Sequence, residues 1–182
     1  ARDNEILVPN LTVMSTDFEI PMTHQWSLGV QRQLPWNFVM DVAYVGSAGR
    51  NLLRAYDINQ TPAGTTNPTN AARPYRGWGN ITLRATDATS LYNALQASLS
   101  RRFTDGLQLN VNYPLSRVTA DSPSDRSDLA QDKNNLDAER AVASYDRTHI
   151  FGVNWVWELP FLRDPANRLL YNLAGGWQFT GF

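Results

Sequence analysis

Apolar and polar residues alternate with a period of two along much of this chain. In "QWSLGVQRQL", from Gln25, Trp26, Leu28 and Val30 share one face, while Ser27, Gly29, Gln31 and Gln33 take the other. In "FVMDVAYV", Phe38, Met40, Val42 and Tyr44 oppose Val39, Asp41, Ala43 and Val45. A period of two is the signature of a strand, because successive side chains leave a pleated backbone on opposite sides. "PWN" at Pro35–Asn37 has turn chemistry, so the two runs read as a hairpin.

The stretch "SLYNALQASLSRRFTDGLQLNVNYPLSRV", Ser90 to Val118, opens ambiguously. Leu91, Ala94, Leu95, Leu99 and Phe103 fall on one helical face, yet Leu91, Leu95, Ala97, Leu99 and Phe103 also fall on one strand face. Its second half decides between them. Leu107, Leu109, Val111 and Tyr113 alternate strictly with Gln108, Asn110 and Asn112, and "TDG" joins the halves as a hairpin connection. The stretch is predicted to be a hairpin, with Pro114 marking the point where the second strand leaves the sheet.

"HIFGVNWVW" alternates again, with Phe151, Val153, Trp155 and Trp157 on one side; a break follows from Pro160 to Arg168, and "LAGGWQFTGF" starts a further strand. Between these hairpins lie two long polar segments, about 46–90 and 116–147, the first beginning with a turn at "GSAGRN". The connections therefore sort by length. They are short at one end of the strands and far above usual hairpin lengths at the other. A transmembrane β-barrel has this asymmetry. The expected fold is all-β: an antiparallel up-and-down transmembrane β-barrel, partial, of about six to eight strands, with residues 1–182 forming one segment of a single barrel domain.

Face composition agrees. The polar faces carry Gln, Asn, Ser, Gly and Thr, as a barrel lumen does, and not the Lys and Glu of a face turned to bulk water. Trp36, Tyr113, Trp155, Trp157 and Trp177 lie at or near expected strand ends, where an amphipathic ring suits the membrane interface. No apolar run is long enough for a transmembrane helix, and "ARDNEILVPN" has no signal-peptide pattern. Neither observation bears on a barrel, whose alternating strands average out in hydropathy.

A formal net charge of -1 gives no electrostatic case for nucleic-acid binding. Absence of cysteine removes disulfides and thiolate chemistry. The Asp-rich segment 121–139 lacks the calcium-loop spacing, and Arg126 and Lys133 interleave with its carboxylates, so it reads as a solvated loop. His24 and His149 have no evident third ligand, so no metal site is expected. No Ser–His–Asp arrangement has a nucleophile-elbow context; no catalytic residue, no cofactor and no enzyme activity are expected. Asp146 and Arg147 in "YDRTH" read as a structural ion pair at a barrel rim, and Asn10, Asn59 and Asn80 begin N-x-[ST] sequons. Ligand contacts would come from the long loops: Tyr75, Arg76 and Trp78 in the first, Arg117 and Arg126 in the second.

Four runs carry a family likeness: "HQWSLGVQRQLPWNFVMDVAYVGSAGRNLL", "YNALQASLSRRFTDGLQLNVNY", "NNLDAERAVASYDRTHIFGVNWVWELPF" and "AGGWQFTGF". In this order they resemble the barrel of TonB-dependent receptors, in the Oar-like branch, over about residues 25–182. The resemblance implies a bacterial outer-membrane protein that takes part in energised uptake of a ligand. Its partners would be outer-membrane lipid and the inner-membrane TonB complex, the latter through a plug domain absent from this sequence. Such transporters need about 22 strands. The chain is therefore expected to be a slice of a longer protein, its sheet closed by further strands or by other copies. Two alternatives stand beside this: a structural envelope protein assembling through sheet edges, and a soluble carbohydrate-binding β-sandwich.

Overall fold

A computed structural model describes residues 8–62, 64–66, 70–122, 129–160 and 175–182. The described residues contain eight strands and no α-helix. The strands are β1 (Leu11–Met14), β2 (Met22–Leu34), β3 (Phe38–Asp57), β4 (Ile81–Thr104), β5 (Leu107–Ala120), β6 (Ala141–Val142), β7 (Gly152–Glu158) and β8 (Gln178–Gly181). All belong to one sheet with the order β2-β3-β4-β5-β7-β8; β1 pairs with β4 and β6 with β5. From β2 to β5 neighbours in chain order lie side by side, as in an up-and-down meander. The β1–β4 pair is parallel, whereas β5–β6, β5–β7 and β7–β8 are antiparallel. The sheet is not closed, and β2 and β8 end its path.

Both tight hairpins use left-handed backbone at their tips. At the first, Trp36 (φ 58, ψ 31) and Asn37 (φ 60) let the Phe38 N–H reach the Pro35 carbonyl. At the second, Asp105 (φ 53) and Gly106 (φ 78) are the whole connection, since Thr104 still belongs to β4. Two residues at positive φ make the mirror-image turn whose twist matches that of the flanking strands. The helical spacing in the first half of the Ser90–Val118 stretch is overridden: β4 is a continuous strand of 24 residues.

Two boundaries differ from expectation. The "GSAGRN" run is no turn but the middle of β3, which continues to Asp57, so the first long loop spans 58–80 and not 46–90. Its glycines serve close packing. A Cβ at Gly46 would strike the Trp26 indole, and one at Gly49 would come within 2.6 Å of the Ser90 hydroxyl. Only Asn51 (φ 55) departs from extended backbone on the left-handed side there.

Likewise β5 does not stop at Pro114. It runs on to Ala120, and the second long loop begins after it. Pro114 removes one donor, but its carbonyl accepts the Ile150 N–H (3.2 Å), Leu115 bridges His149, and the Ser116 N–H reaches the Thr148 carbonyl (2.9 Å). The ladder thus carries on past the missing donor. Opposite Val118 the backbone partner has gone, and the Asp146 carboxylate accepts that N–H instead (2.7 Å).

The chain forms two compact units. One comprises Ala1–Gln25, Ser47–Tyr92 and Val118–Asp146; the other comprises Trp26–Gly46, Asn93–Arg117 and Arg147–Phe182. In the second unit, Leu107 faces Trp157, Leu109 faces Trp155 and Val111 faces Val153 across the β5–β7 ladder. On its other side Asn110 faces Asn154 and Asn112 faces Gly152. One face is apolar and the other amide-rich, as alternation requires.

The first unit is ordered by polar contacts. The buried apolar residues of the described chain are Ile81 and a set of alanines, and Asn59 is its largest fully buried side chain. Meanwhile Leu28 is 76% exposed, Val30 67% and Phe151 68%. This burial pattern is the reverse of a soluble core.

Candidate functional site

The first long loop is built around Asn59. Its side chain accepts the Tyr75 N–H (2.7 Å) and donates to the carbonyls of Tyr75 (3.0 Å), Trp78 (3.2 Å) and Gly79 (2.8 Å). Asp57, at the end of β3, sets this arrangement. Its carboxylate accepts the N–H groups of Asn59 (2.8 Å) and Ile81 (2.9 Å), tying the start of the loop to the start of β4. Arg73 lies 3.7 Å from the same carboxylate and donates to the Asn59 carbonyl (2.9 Å). A buried amide that meets nearly all its hydrogen-bonding capacity holds a loop without an apolar core.

The consequence falls on the aromatic residues expected to meet ligand. Tyr75 and Trp78 are pinned through their backbones to Asn59, yet as residues they remain 53% and 40% exposed. Arg76, between them, is exposed as well. The structure therefore brings Tyr75, Arg76 and Trp78 together on one ordered loop. Arg117 belongs to β5 and to the other compact unit, because the strand outlasts Pro114. Arg126 lies outside the described residues, as do Asp125, Asp128 and all but the first residue of the break expected over 160–168.

The second long loop is fastened to the first. The Gln60 side chain donates to the carbonyls of Ala130 and Gln131 (3.1 Å each) and accepts the Lys133 N–H (3.1 Å). The ammonium of Lys133, the chain's only lysine, donates to the Ile58 carbonyl (2.7 Å). Beneath, Arg54 has a side chain only 6% exposed, with Nε 2.8 Å from the Asp87 carboxylate and Nη2 3.8 Å from that of Asp121. Asp121 in turn accepts both the N–H (2.7 Å) and the hydroxyl (2.8 Å) of Thr89. Of these charges Arg54 and Asp121 are desolvated, which is tolerated when they are paired, while Asp87 is half-exposed; together they couple β3, β4 and the root of the second loop.

Sequence reasoning missed Asn59, Asp57, Arg54 and Asp121. Read as a sequon, Asn59 belongs on the surface; the structure buries it completely. A local signal did exist, since Asp-x-Asn at a strand end suits a side-chain-to-backbone turn.

In the second unit Trp157 stands opposite Leu107 beside the tight turn, and Phe179 stands opposite Trp157. Tyr113 donates to or accepts from His149 Nδ1 at 2.8 Å, with the rings stacked 6.2 Å apart. Trp36 sits at the tip of the first hairpin, 80% exposed, and Trp177 just before β8 is 57% exposed. Trp155 is the exception among the expected interface aromatics. It occupies the middle of β7, where Gly181 opposite leaves room for its indole. Among the described residues no three His, Asp or Glu side chains gather as a metal site. Asp146 is engaged with the Val118 backbone, and the Arg147 carbonyl accepts the Ser116 hydroxyl (2.8 Å).

A single antiparallel meander that exposes leucine, valine and tryptophan while burying alanine, asparagine and arginine is the wall of a membrane β-barrel. The chain belongs to the outer membrane beta barrel domain family, whose model matches residues 3–182. No curated protein and no solved structure matches it.

Proposed function

We propose that this chain is part of the barrel of a bacterial, TonB-dependent, Oar-like receptor that takes part in energised uptake. The observation that supports this reading best is the first long loop, which presents Tyr75, Arg76 and Trp78 on a backbone fixed by Asn59. A pore wall alone gains nothing from ordering exposed aromatic rings. A binding loop gains affinity, because the ordering cost is met before ligand arrives. The chain carries no chemistry of its own in this reading; it supplies wall and loops, and TonB supplies energy through a plug domain. Outer-membrane lipid would face Leu28, Val30, Trp155 and Trp157.

Nutrient-dependent growth tests the proposal. A strain deleted for the full gene is grown on a panel of iron, cobalamin and glycan sources beside a strain lacking TonB. The proposal expects a source on which both fail, restored by the wild-type gene and not by one carrying Tyr75→Ala and Trp78→Ala. Growth of the deletion strain on every source that requires TonB would overturn it.

A further inference from the structure

A second feature of the loop-bearing unit is independent of the aromatic loop. Between β3 and β4 lies an open groove of about 390 Å³, lined by Ala48, Gly49, Arg50, Asn51, Asp87, Thr89, Ser90, Leu91 and Arg140. Its size suits a small polar ligand or a lipid headgroup. Arg50 and Arg140 come from separate parts of the chain, one in β3 and one just before β6, and both are exposed. Among the described residues neither guanidinium has an ion-pair or hydrogen-bond partner.

The groove's one carboxylate does not offset them. Asp87 is held by Arg54 from outside the groove, through Nε at 2.8 Å to its carboxylate and Nη2 at 2.9 Å to its carbonyl. Thr89 is committed to Asp121. What remains is two free guanidinium forks, the Ser90 hydroxyl and the Asn51 amide. Gly49 forms part of the lining, and a side chain there would run into the Ser90 hydroxyl within 2.6 Å. The absent Cβ keeps that hydroxyl accessible.

We propose that this groove binds a phosphate monoester, held between Arg50 and Arg140 with Ser90 and Asn51 as neutral donors. Guanidinium matches the planar two-oxygen edge of a phosphate in a way that an ammonium does not, and this chain has almost no lysine. The ester has two possible sources: a soluble phosphorylated sugar, or a phosphorylated lipid headgroup of the surrounding membrane. The lipid source rests on the barrel reading and the soluble one does not.

The test uses the protein purified from expression of its full gene and reconstituted in phosphatidylcholine nanodiscs. Glucose 6-phosphate and inorganic phosphate are titrated by calorimetry, and nanodiscs containing phosphatidic acid are examined by native mass spectrometry for retained lipid. Binding of glucose 6-phosphate identifies the soluble source, and selective retention of phosphatidic acid identifies the headgroup. In either case Arg50→Gln with Arg140→Gln should weaken binding at least tenfold, and raising the salt should weaken it in the wild type. Arg140→Lys should fall between, keeping charge while losing the fork. Heat-modifiable gel mobility shows whether each variant is folded; if the double variant is not, Arg140→Gln alone serves, since Arg140 lies outside every strand. A wild-type chain that binds none of the three probes overturns the proposal. So does a folded double variant that binds as tightly as wild type.

Discussion

The indole of Trp155 fills the space that a Cβ at Gly181 would occupy, across the β7–β8 pair. The same relation recurs at the other end of the sheet path, where Trp26 on β2 covers Gly46 on β3. Both pairs lie on the apolar face. A glycine in a strand is ordinarily a weak point, because it packs nothing and exposes backbone. Here a flat ring from the neighbouring strand covers it, burying peptide groups that lipid could not solvate.

Gly181→Ala and Gly46→Ala are therefore expected to destabilise the sheet by about 1–3 kcal/mol each, since the indole must swing away from added volume. Urea unfolding of the protein in detergent, followed by tryptophan fluorescence, measures this. Pairing Gly46→Ala with Trp26→Ala should cost less than the two single changes added together, because the clash vanishes with the ring. Strict additivity would show that the pair does not interact.

Asn59→Asp separates the two functions of the Asn59 side chain. The aspartate still accepts the Tyr75 N–H but loses the donors to Tyr75, Trp78 and Gly79. The Tyr75 carbonyl loses its donor, while those of Trp78 and Gly79 keep only Asn70 and Arg73; at about 1 kcal/mol for each hydrogen bond lost, the loop should open while the strands persist. Trypsin cleavage after Arg76 should accelerate at least tenfold, with an unchanged β-sheet circular dichroism signal; the Arg73–Pro74 bond is not a trypsin site. Equal resistance in variant and wild type would mean that the loop is held by something else.

Arg54→Met tests the buried charge cluster. It leaves Asp121, whose side chain is 12% exposed, without the cation it faces, and frees Asp87. A stability loss of about 3 kcal/mol is expected. Asp121→Asn in the Arg54→Met background should recover part of it, because the orphaned charge goes while an acceptor for Thr89 remains. Chemical denaturation of the four proteins of this cycle measures both effects.

Trp36 at φ 58 holds a bulky residue in left-handed backbone, a conformation costing about 1–2 kcal/mol. Trp36→Gly should thus stabilise the isolated hairpin and leave stability in detergent unchanged or higher. In lipid bilayers the same change should lower stability if the ring is a headgroup anchor. Measuring unfolding in both environments decides it; the same sign in both would mean that Trp36 has no interfacial role.

Much of this architecture is legible in local sequence. The two tight hairpins and their four flanking strands follow from period-two alternation, which needs only a residue's immediate neighbours to be read; the parallel pairing of β1 with β4 does not. The apolar face around Leu109, Val111 and Val153 was legible for the same reason, since register preserves the pattern from strand to strand.

What the sequence could not decide depends on residues far apart along the chain. "GSAGRN" has the composition of a turn and becomes a strand because Trp26 and Ser90 press against its glycines. Pro114 looks like a terminus and is crossed because Ile150 pairs with its own carbonyl and Thr148 pairs with Ser116 beyond it. Asn59 looks like a surface sequon and is buried because Tyr75, Trp78 and Gly79 close around it. Alternation determined which residues can share a face. Only tertiary structure decided where each strand ends and which polar groups hold the loops, because a hydrogen bond to a distant carbonyl leaves no periodic trace in the chain that makes it.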